Sequence, residues 1–360
     1  MNIAFVGIRE DELKTVSAPK RVGNALFNRL RKNSQDNYYF FSLNLENETD
    51  LIERDKNIIR GNLNQLGNFI RDNNIDVVYF ARYYSKIALS LIWLKLRYKF
   101  KLVYTAHGIV KKEHEINKSF SSLSIFIEKL LLKSCDKVIV VSEKTKKELA
   151  NYYKNLELNN VVVIPNGVNK IESNKDFDFK KELNIRNNKK NILTIGIRKI
   201  KNIEEILETF KNNKTISDKA NLIVIGETTT EYSKKIIDKY KDCEGIIFKE
   251  LMKPANLFAV YNNIDLYIQI SKFETFGISI VEALLSGKNV ILSKLLPIAK
   301  YFTDKEVYFY EYKNNNLSDV IIEALNNNNI KAIEGCKKVE KMFNWDTVSE
   351  KYEKIFKSLS

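Results

Sequence analysis

Short runs of β-branched and aromatic residues recur along this chain, and longer stretches with helical spacing of apolar residues lie between them. Strands that alternate with helices predict parallel sheets whose crossover helices cover both faces. One series of candidate strands reads NIAFVG, NYYFFSL, DVVYFA, KLVYTA, KVIVVS and VVVIP, and a second reads NILTIG, NLIVIG, GIIF, DLYIQI, NVILS and VYFY. The sequence therefore predicts an α/β protein built from two doubly wound sheets.

A polar stretch between the two series, residues 166–190, has too few apolar side chains to form a strand. With 360 residues, the chain is long enough for two domains of about 150 residues each. We therefore expect one domain over residues 1–165 and another over residues 170–342. Ligands bind at the carboxyl ends of parallel strands, so we expect two such edges to face each other across a ligand cleft. This architecture alone does not specify a reaction.

Composition excludes several classes of protein. With 44% hydrophobic and 29% charged residues, the chain has enough apolar material for a sizeable core and is not disordered. Two histidines and three widely spaced cysteines cannot close a tetrahedral zinc site, so we expect no structural metal. No apolar run approaches the ~20 residues of a membrane-spanning helix, and the chain begins with a predicted strand rather than a secretory signal. These features predict a cytoplasmic protein.

Positive charge is concentrated in one part of the chain. The formal net charge is +14, and residues 82–147 hold 15 basic against five acidic side chains, whereas residues 1–81 hold 11 of each. The basic part contains two apolar segments edged by Lys and Arg, SKIALSLIWLKLRYKFK and FSSLSIFIEKLLLKS. Such segments are typical of a helix on an anionic membrane surface or of a core helix with a solvated face, and the sequence leaves both open. No nucleic-acid reader motif accompanies the charge, so we expect no nucleic-acid partner.

Two carboxylates in the second half have a spacing that suggests a ligand site. In SKFETFGISIVEALLSGKNVILS, Glu274 and Glu282 are eight positions apart, and a helix is predicted to begin near Phe276 and Gly277. The first amides of a helix are unpaired donors with partial positive charge, so those of Gly277 and Ile278 suit a phosphate. Both carboxylates would then face one ligand near this helix terminus.

Together with its setting, this pattern resembles the E-x(7)-E signature of retaining glycosyltransferases of the GT-B fold, most closely glycosyltransferase family 4. The resemblance implies two Rossmann-like domains and a nucleoside diphosphate sugar as donor. It also implies that Glu282 binds the ribose hydroxyls and that Glu274 contacts the donor sugar, with Phe276, Gly277 and Ile278 completing the donor site. The alternative is that Glu282 is only a solvated helix residue.

Other segments match the same family in order. GIRKIKNIEEILETF resembles the family's diphosphate-binding turn, which implies that Gly196 lines this turn and that Arg198 and Lys201 hold the diphosphate, with Lys199 able to substitute. KELMKPANLF resembles the segment around the nucleobase, where backbone groups of Lys249, Glu250 and Leu251 would meet the base. WDTVSEKYEKIF resembles the terminal helix, residues 345–360, which crosses back to the first domain.

The first domain offers fewer matches to the family. His107, in YTAHGI, follows the fourth predicted strand, and the resemblance implies that it lies beside the donor sugar. The family's Gly-Gly loop after the first strand is absent from GIREDELKTVSAPKRVGNAL, and we assign its loop-to-helix role to Gly23. The sequence leaves open whether Tyr83 and Tyr84 stack on an acceptor or cover the sheet. Lys288 replaces a family proline, which leaves the acceptor open.

The resemblance therefore predicts a metal-independent enzyme that moves a sugar from a UDP- or GDP-sugar to a hydroxyl group with retention. The acceptor is expected to be a glycan or a lipid-linked glycan in capsule, exopolysaccharide or cell-envelope synthesis, and the basic segment favours a peripheral position at the inner face of the membrane. Protein O-glycosylation, a catalytically silent sugar-nucleotide-binding subunit and a sugar-nucleotide epimerase are the alternatives.

Overall fold

The computed structural model describes residues 1–8, 18–43, 52–55, 57–117, 120–154, 156, 158–170, 172–185, 187–314 and 316–359. The chain divides into two compact units. Unit 1 comprises residues 1–167 together with 345–360, and unit 2 comprises residues 168–344. Most of the loop in which the sequence lacks the family's Gly-Gly pair, residues 9–17, lies outside the described residues.

Unit 1 contains, among its described residues, a sheet of eight strands in the order β3-β4-β2-β1-β5-β6-β7-β8. Only the β3–β4 pair is antiparallel in this described sheet. The six strands predicted from the sequence are confirmed, whereas β3 and β4 were missed because their short runs, IERD and IIRG, carry charged residues. The strands are β1 (Asn2–Gly7), β2 (Asn37–Leu43), β3 (Ile52–Asp55), β4 (Ile58–Gly61), β5 (Val77–Phe80), β6 (Lys101–Ala106), β7 (Lys137–Val140) and β8 (Val161–Val163).

The helices of unit 1 cover this sheet, and several begin at side-chain caps. Asn62 and Gln65 form a capping box at the start of α2, and Ser142 accepts a hydrogen bond from the Thr145 amide at the start of α6. The helices are α1 (Ala18–Asn33), α2 (Leu63–Asp72), α3 (Ser85–Tyr98), α4 (Val110–Asn117), α5 (Ser122–Ser134), α6 (Glu143–Tyr152) and, at the end of the chain, α15 (Trp345–Lys357).

The terminal helix α15 packs on the sheet of unit 1 through aromatic contacts. The Phe356 ring is fully buried and meets the rings of Phe5 and Tyr79 with centroids 6.2 and 5.8 Å apart. Asp346, at the other end of α15, forms an ion pair with Arg29 of α1. Gly167 lies against the ring of Trp345, the first residue of α15. A Cβ at position 167 would lie 2.5 Å from that ring, so only glycine permits this close contact. These contacts explain why the last residues belong to unit 1.

Unit 2 contains, in the part that the structure describes, six parallel strands in the order β11-β10-β9-β12-β13-β14. All six strands predicted from the sequence are confirmed, with bounds that differ by one residue at most at each end. The strands are β9 (Lys190–Ile195), β10 (Ala220–Ile225), β11 (Ile246–Lys249), β12 (Leu266–Gln269), β13 (Asn289–Ser293) and β14 (Tyr308–Tyr310). The helices are α7 (Phe179–Glu182), α8 (Ile203–Asn212), α9 (Lys214–Ser217), α10 (Glu231–Tyr240), α11 (Pro254–Asn263), α12 (Ile278–Leu285), α13 (Leu317–Asn326) and α14 (Ile330–Met342).

The strand order of unit 2 determines where its ligand crevice lies. From β9 the chain builds outward through β10 and β11, then returns and builds in the other direction through β12, β13 and β14. The crossover loops after β9 and β12 therefore leave the sheet toward opposite faces, which opens a crevice at their carboxyl ends. Residues 196–201 and 270–277 form these two loops. In unit 1, β1 lies at the corresponding position between β2 and β5.

No helix within the described residues combines the length and the hydropathy needed to span a membrane.

The packing of α15 gives a test of stability. Phe356→Ala removes a fully buried ring among Phe5, Tyr79 and Tyr352, so we expect it to lower the free energy of unfolding of unit 1 by about 3–5 kcal/mol. Urea unfolding followed by circular dichroism measures the loss. Lys351→Ala, at an exposed position of the same helix, is the control and should change stability by less than about 0.5 kcal/mol. Equal effects of the two variants would contradict the packing.

Candidate functional site

The loops that follow β9 and β12 meet at the crevice of unit 2. Lys201, from the first loop, forms an ion pair with Glu274 from the second, and side chains of both are largely buried, with 11% and 17% exposed. The Lys272 amide donates to the Ile200 carbonyl oxygen at 2.9 Å, which joins the two loops through their backbones as well. Burial lowers the pKa of Lys201. The structure therefore brings together two of the residues that the sequence predicted for catalysis.

Two glycines allow the β9 loop to pass close to the sheet. Gly196 has a φ of +109°, and a Cβ there would lie 3.1 Å from Cγ of Lys201, so the lysine stem packs directly over it. At Gly226, after β10, a Cβ would lie 2.6 Å from the backbone nitrogen of Ile197. Gly196 was predicted from the sequence, whereas Gly226 was missed, although its place at the end of NLIVIG was a signal for such an approach.

Gln269, at the end of β12, links the carboxylate of Glu274 to α12. Its Nε2 donates to Glu274 at 2.7 Å, and its Oε1 accepts hydrogen bonds from the Tyr267 and Ser279 hydroxyls, both at 2.6 Å. Glu274 is therefore held by an amide as well as by Lys201. Gln269 was not predicted from the sequence, although a polar side chain at the end of the apolar run DLYIQI was a usable signal.

Helix α12 begins where the sequence predicted, with Gly277 as the residue before its first turn. Gly277 has a φ of +104°, a backbone conformation that favours glycine, and its carbonyl oxygen accepts the Ile280 amide at 3.1 Å. The Phe276 ring is buried, with its centroid 5.5 Å from that of Phe343. A contact of Phe276 with a ligand would therefore come from its backbone, while its ring fixes the loop before Ile278.

Glu282 is buried inside α12, with 3% of its surface exposed, which excludes the alternative of a solvated helix residue. The Tyr261 hydroxyl lies 3.3 Å from Oε2 of Glu282 and also 3.3 Å from the Ser279 carbonyl oxygen. Because Ser279 also donates to Gln269, hydrogen bonds connect the surroundings of Glu282 with those of Glu274. A buried carboxylate needs polar partners, and ligand hydroxyls are suitable ones.

Further basic groups adjoin Lys201. Arg198 and Lys199 are exposed in the turn after β9, and the positive charge of Arg198 contributes to the lowered pKa of Lys201. Arginine binds phosphate oxygens through its planar fork of donors, and lysine does so as a compact charge. The turn thus offers an exposed and a buried cation to an anionic ligand.

The predicted nucleobase segment follows β11. The carbonyl oxygen of Lys249 accepts the Gly226 amide at 3.0 Å, and the Glu250 carboxylate accepts a hydrogen bond from Thr228 at 2.9 Å. Leu251 is exposed, with 53% of its surface accessible. Contact of these residues with a base stays a prediction.

In unit 1, His107 follows β6, which is the sixth strand rather than the fourth because β3 and β4 precede it. Its Nε2 is buried and has no hydrogen-bond partner among the described residues. Burial lowers the pKa of His107 to about 4, so the imidazole is neutral near pH 7. It can therefore exchange a hydrogen bond with a ligand but does not supply a charge.

A buried carboxylate holds the segment that follows His107. Glu128, from α5, is fully buried, and both of its oxygens lie 3.0 Å from the amide of Val110, the first residue of α4. The Tyr153 hydroxyl also donates to Glu128. The residue before α4 is Ile109, whose side chain has no hydrogen-bond acceptor. Glu128, from a neighbouring helix, therefore accepts the hydrogen bond of the first amide of α4 in place of an N-cap side chain. Glu128 was not predicted from the sequence, although it is the only acid in SLSIFIEKLLLKS.

Gly23 does not lie at a loop-to-helix junction. It lies inside α1, which begins at Ala18, and a Cβ there would be 3.4 Å from that of Ala81. The glycine thus allows α1 to pack closely on the chain after β5, and the junction itself lies further upstream. Gly23 does line a small pocket, with a cavity volume of about 30 Å³, together with Arg82 and Tyr84.

The two adjacent tyrosines of unit 1 differ in their contacts. Tyr83 donates to the Ser124 carbonyl oxygen at 2.6 Å and so ties α5 to the start of α3. Tyr84 lines the pocket, and the Arg82 guanidinium lies 4.9 Å from the centroid of its ring. Of the two, Tyr84 is the one that lines this pocket, whereas Tyr83 is held against α5.

No group of three or more His, Cys, Asp and Glu side chains suited to a metal ion occurs among the described residues.

The family model for Glycosyltransferase Family 4 matches residues 45–170, and the model for Glycosyl transferases group 1 matches residues 175–341. The chain belongs to the family 4 glycosyltransferases of the GT-B fold. This glycosyltransferase is similar in fold to Anabaena HepE, solved in complex with UDP and glucose, with a TM-score of 0.76, 16% identity, and coverage of 99% of this chain and 100% of that one.

Two curated relatives are similar in sequence to this glycosyltransferase. Alpha-monoglucosyldiacylglycerol synthase of Streptococcus pneumoniae is 25% identical, and the match covers 70% of this chain and 59% of that protein. The O-antigen biosynthesis glycosyltransferase WclY of Escherichia coli is 26% identical, with 79% of each chain covered. The chain thus matches less than two thirds of the length of the first relative.

The buried position of Glu128 predicts a pH-dependent effect. Burial raises the pKa of Glu128 to about 7, whereas an unfolded chain releases this proton near pH 4.5. Between these values the unfolded state binds fewer protons, so this group lowers the stability of unit 1 as pH rises. Glu128→Gln does not titrate, and its stability relative to wild type should increase from pH 5 to pH 8 by on the order of 3 kcal/mol.

Urea unfolding of both proteins at several pH values measures this difference. His107 titrates in both proteins, so its contribution cancels. A difference that stays constant across this pH range would contradict the assignment.

Proposed function

We propose that this glycosyltransferase transfers a sugar, with retention, from a UDP- or GDP-sugar to a hydroxyl group of a glycan or lipid-linked acceptor. The observation that carries the proposal is the buried Lys201–Glu274 pair at the crevice of unit 2, beside the amino end of α12. In this proposal unit 2 binds the donor and unit 1 binds the acceptor.

The diphosphate of the donor is the ligand that best fits the cationic side of this crevice. Lys201 and Arg198 would bind its oxygens, and the amides at Gly277 and Ile278 would add the partial charge of a helix terminus. If Glu274 turns to the sugar, Lys201 loses the counter-charge of this carboxylate, and a diphosphate supplies a new one in a buried place. Gln269 still holds Glu274 after such an exchange.

The two carboxylates would then bind hydroxyl groups at different parts of the donor. Glu274, in the loop before α12, would accept hydrogen bonds from the sugar, and Glu282, about one turn after the start of α12, would accept them from the ribose. The role of His107 at the donor sugar stays a prediction, in which it would act as a neutral hydrogen-bonding group.

The reaction breaks the bond between the anomeric carbon and the diphosphate oxygen, and the electron pair leaves with the diphosphate. Arg198 and Lys201 would stabilise this developing charge electrostatically. The acceptor hydroxyl bonds to the anomeric carbon on the same face, and its proton passes to an oxygen of the leaving phosphate. We propose that these fixed cations make a metal ion unnecessary.

The names of similar proteins support the choice of substrates. HepE was solved with UDP and glucose, which supports a nucleotide-sugar donor. One relative is named for a glucosylated diacylglycerol and another for O-antigen biosynthesis, which supports a lipid or glycan acceptor in cell-envelope synthesis. For such acceptors we propose a peripheral position on the inner face of the membrane.

Two substitutions separate donor binding from turnover. Glu282→Gln removes a charged acceptor for the ribose, so the donor affinity should fall by about 30-fold, equivalent to about 2 kcal/mol. Arg198→Ala removes a cation that acts mainly on the leaving group, so turnover should fall by about 100-fold with a smaller change in affinity. Donor hydrolysis and thermal shift over UDP- and GDP-sugars measure both effects.

Lys219→Ala is the matched control, because Lys219 is exposed and lies at the amino end of β10, opposite the crevice. Full activity and unchanged donor affinity in both test variants would contradict the assigned roles. Donor binding without any transfer or hydrolysis would favour a silent subunit, and conversion of the donor sugar without an acceptor would favour an epimerase.

A further inference from the structure

Helix α3 exposes a row of large apolar side chains on one face. Leu89, Trp93 and Leu96 recur at the spacing of successive helical turns, and 45%, 57% and 78% of their surfaces are exposed. The opposite face of α3 supplies the core of unit 1 with other residues, namely Ile87, Ala88, Leu91 and Leu94. The exposed row is therefore additional to the core and is not needed for packing α3 on the sheet.

Helix α5 lies beside α3 and exposes apolar residues of its own. Leu123 and Phe126 are 66% and 57% exposed. Tyr83, before α3, donates to the Ser124 carbonyl oxygen near the start of α5, and Lys95 near the end of α3 donates to the Ser134 carbonyl oxygen at 2.6 Å. The two helices therefore run side by side in the same direction. We call the exposed side chains of residues 86–99 and 122–133 the α3/α5 face.

The charge of the α3/α5 face has a single sign. Helix α3 contains no acidic residue, and the only acid in α5, Glu128, is fully buried. The Arg97 guanidinium lies 5.5 Å from the centroid of the exposed Trp93 ring. The exposed basic residues of the face are Lys86, Arg97, Lys99, Lys129 and Lys133.

We infer that the α3/α5 face docks on an anionic lipid bilayer. Exposed apolar clusters of this kind mark interaction sites, and a bilayer surface offers an apolar layer directly beneath a layer of negative head groups. Tryptophan is favoured at this boundary, and Lys and Arg stems allow their charges to reach the head groups. This inference rests on the proposed function for its biological purpose. It adds to that function by identifying the surface that would contact the membrane.

A second copy of this chain fits the face less well. In a two-fold dimer the same surface meets itself, so the five cations of one copy would oppose those of the other with no exposed carboxylate on either helix to neutralise them. An anionic bilayer neutralises all of them. Charge complementarity therefore favours lipid over self-association.

Binding of the full chain to vesicles tests the inference directly. In co-sedimentation at low salt, the chain should bind vesicles of phosphatidylcholine and phosphatidylglycerol, and binding should weaken with added salt and without phosphatidylglycerol. Trp93 emission should shift to shorter wavelength on binding. The only other tryptophan in the sequence, Trp345, is buried and provides a constant background.

Two variants separate the apolar and the charged contributions. The triple variant Leu89→Ser, Trp93→Ser, Leu96→Ser should bind anionic vesicles at least tenfold more weakly than wild type. The double variant Lys129→Gln, Lys133→Gln should bind anionic vesicles about tenfold more weakly, with no change in its binding to vesicles that lack phosphatidylglycerol. The matched control is Ile330→Ser with Ile333→Ser, which removes two apolar side chains, 59% and 51% exposed, from α14 of unit 2. This control should bind vesicles as wild type does.

Circular dichroism and donor binding verify that each variant is folded. Absence of vesicle binding by the wild type at low salt, or unchanged binding by the triple variant, would overturn the inference. The inference would also be overturned if the wild type forms a dimer in size-exclusion chromatography, does not bind vesicles, and becomes a monomer in the triple variant. Vesicle binding with no donor binding would leave this inference standing and remove the proposed function, and the reverse result would remove only the inference.

Discussion

The ion pair between Lys201 and Glu274 is the interaction on which the candidate donor site depends. Both charges lie largely out of water, so each needs a partner, and the pairing fixes the loop after β9 against the loop after β12. The glycines at 196 and 226 and the hydrogen bonds of Gln269 serve this geometry, because they bring the two loops close enough to meet. An anionic ligand that takes over Lys201 would leave Glu274 held by an amide and ready to accept hydrogen bonds.

Unit 1 uses the same physical principle at a different place. The carboxylate of Glu128 is buried beneath the first turn of α4, where it binds the Val110 amide and thereby fixes the segment that carries His107. In both units a buried carboxylate fixes a loop at the carboxyl end of a parallel strand. Such loops must be rigid to bind a ligand, yet their backbones lack the support of a sheet.

Periodicity in the sequence predicted twelve of the strands and the division into two sheets, because parallel strands are buried on both faces and read as continuous apolar runs. It missed β3 and β4, which lie at the edge of the sheet and carry charges. The family pattern predicted Lys201, Glu274 and Glu282 as site residues. The resemblance assigned no role to Gln269 or Glu128, and which groups they hydrogen-bond follows only from the fold. Gly23 was misplaced because a glycine that permits close packing inside a helix looks the same in sequence as one in a loop.

A crystal structure of the chain with a bound nucleoside diphosphate sugar tests the proposed donor site most directly. We expect diphosphate oxygens within hydrogen-bond distance of Lys201 and of the first amides of α12, with Glu274 on the sugar and Glu282 on the ribose. A diphosphate bound elsewhere while the Lys201–Glu274 pair stays intact, or a donor that leaves both carboxylates without contact, would contradict the central claim.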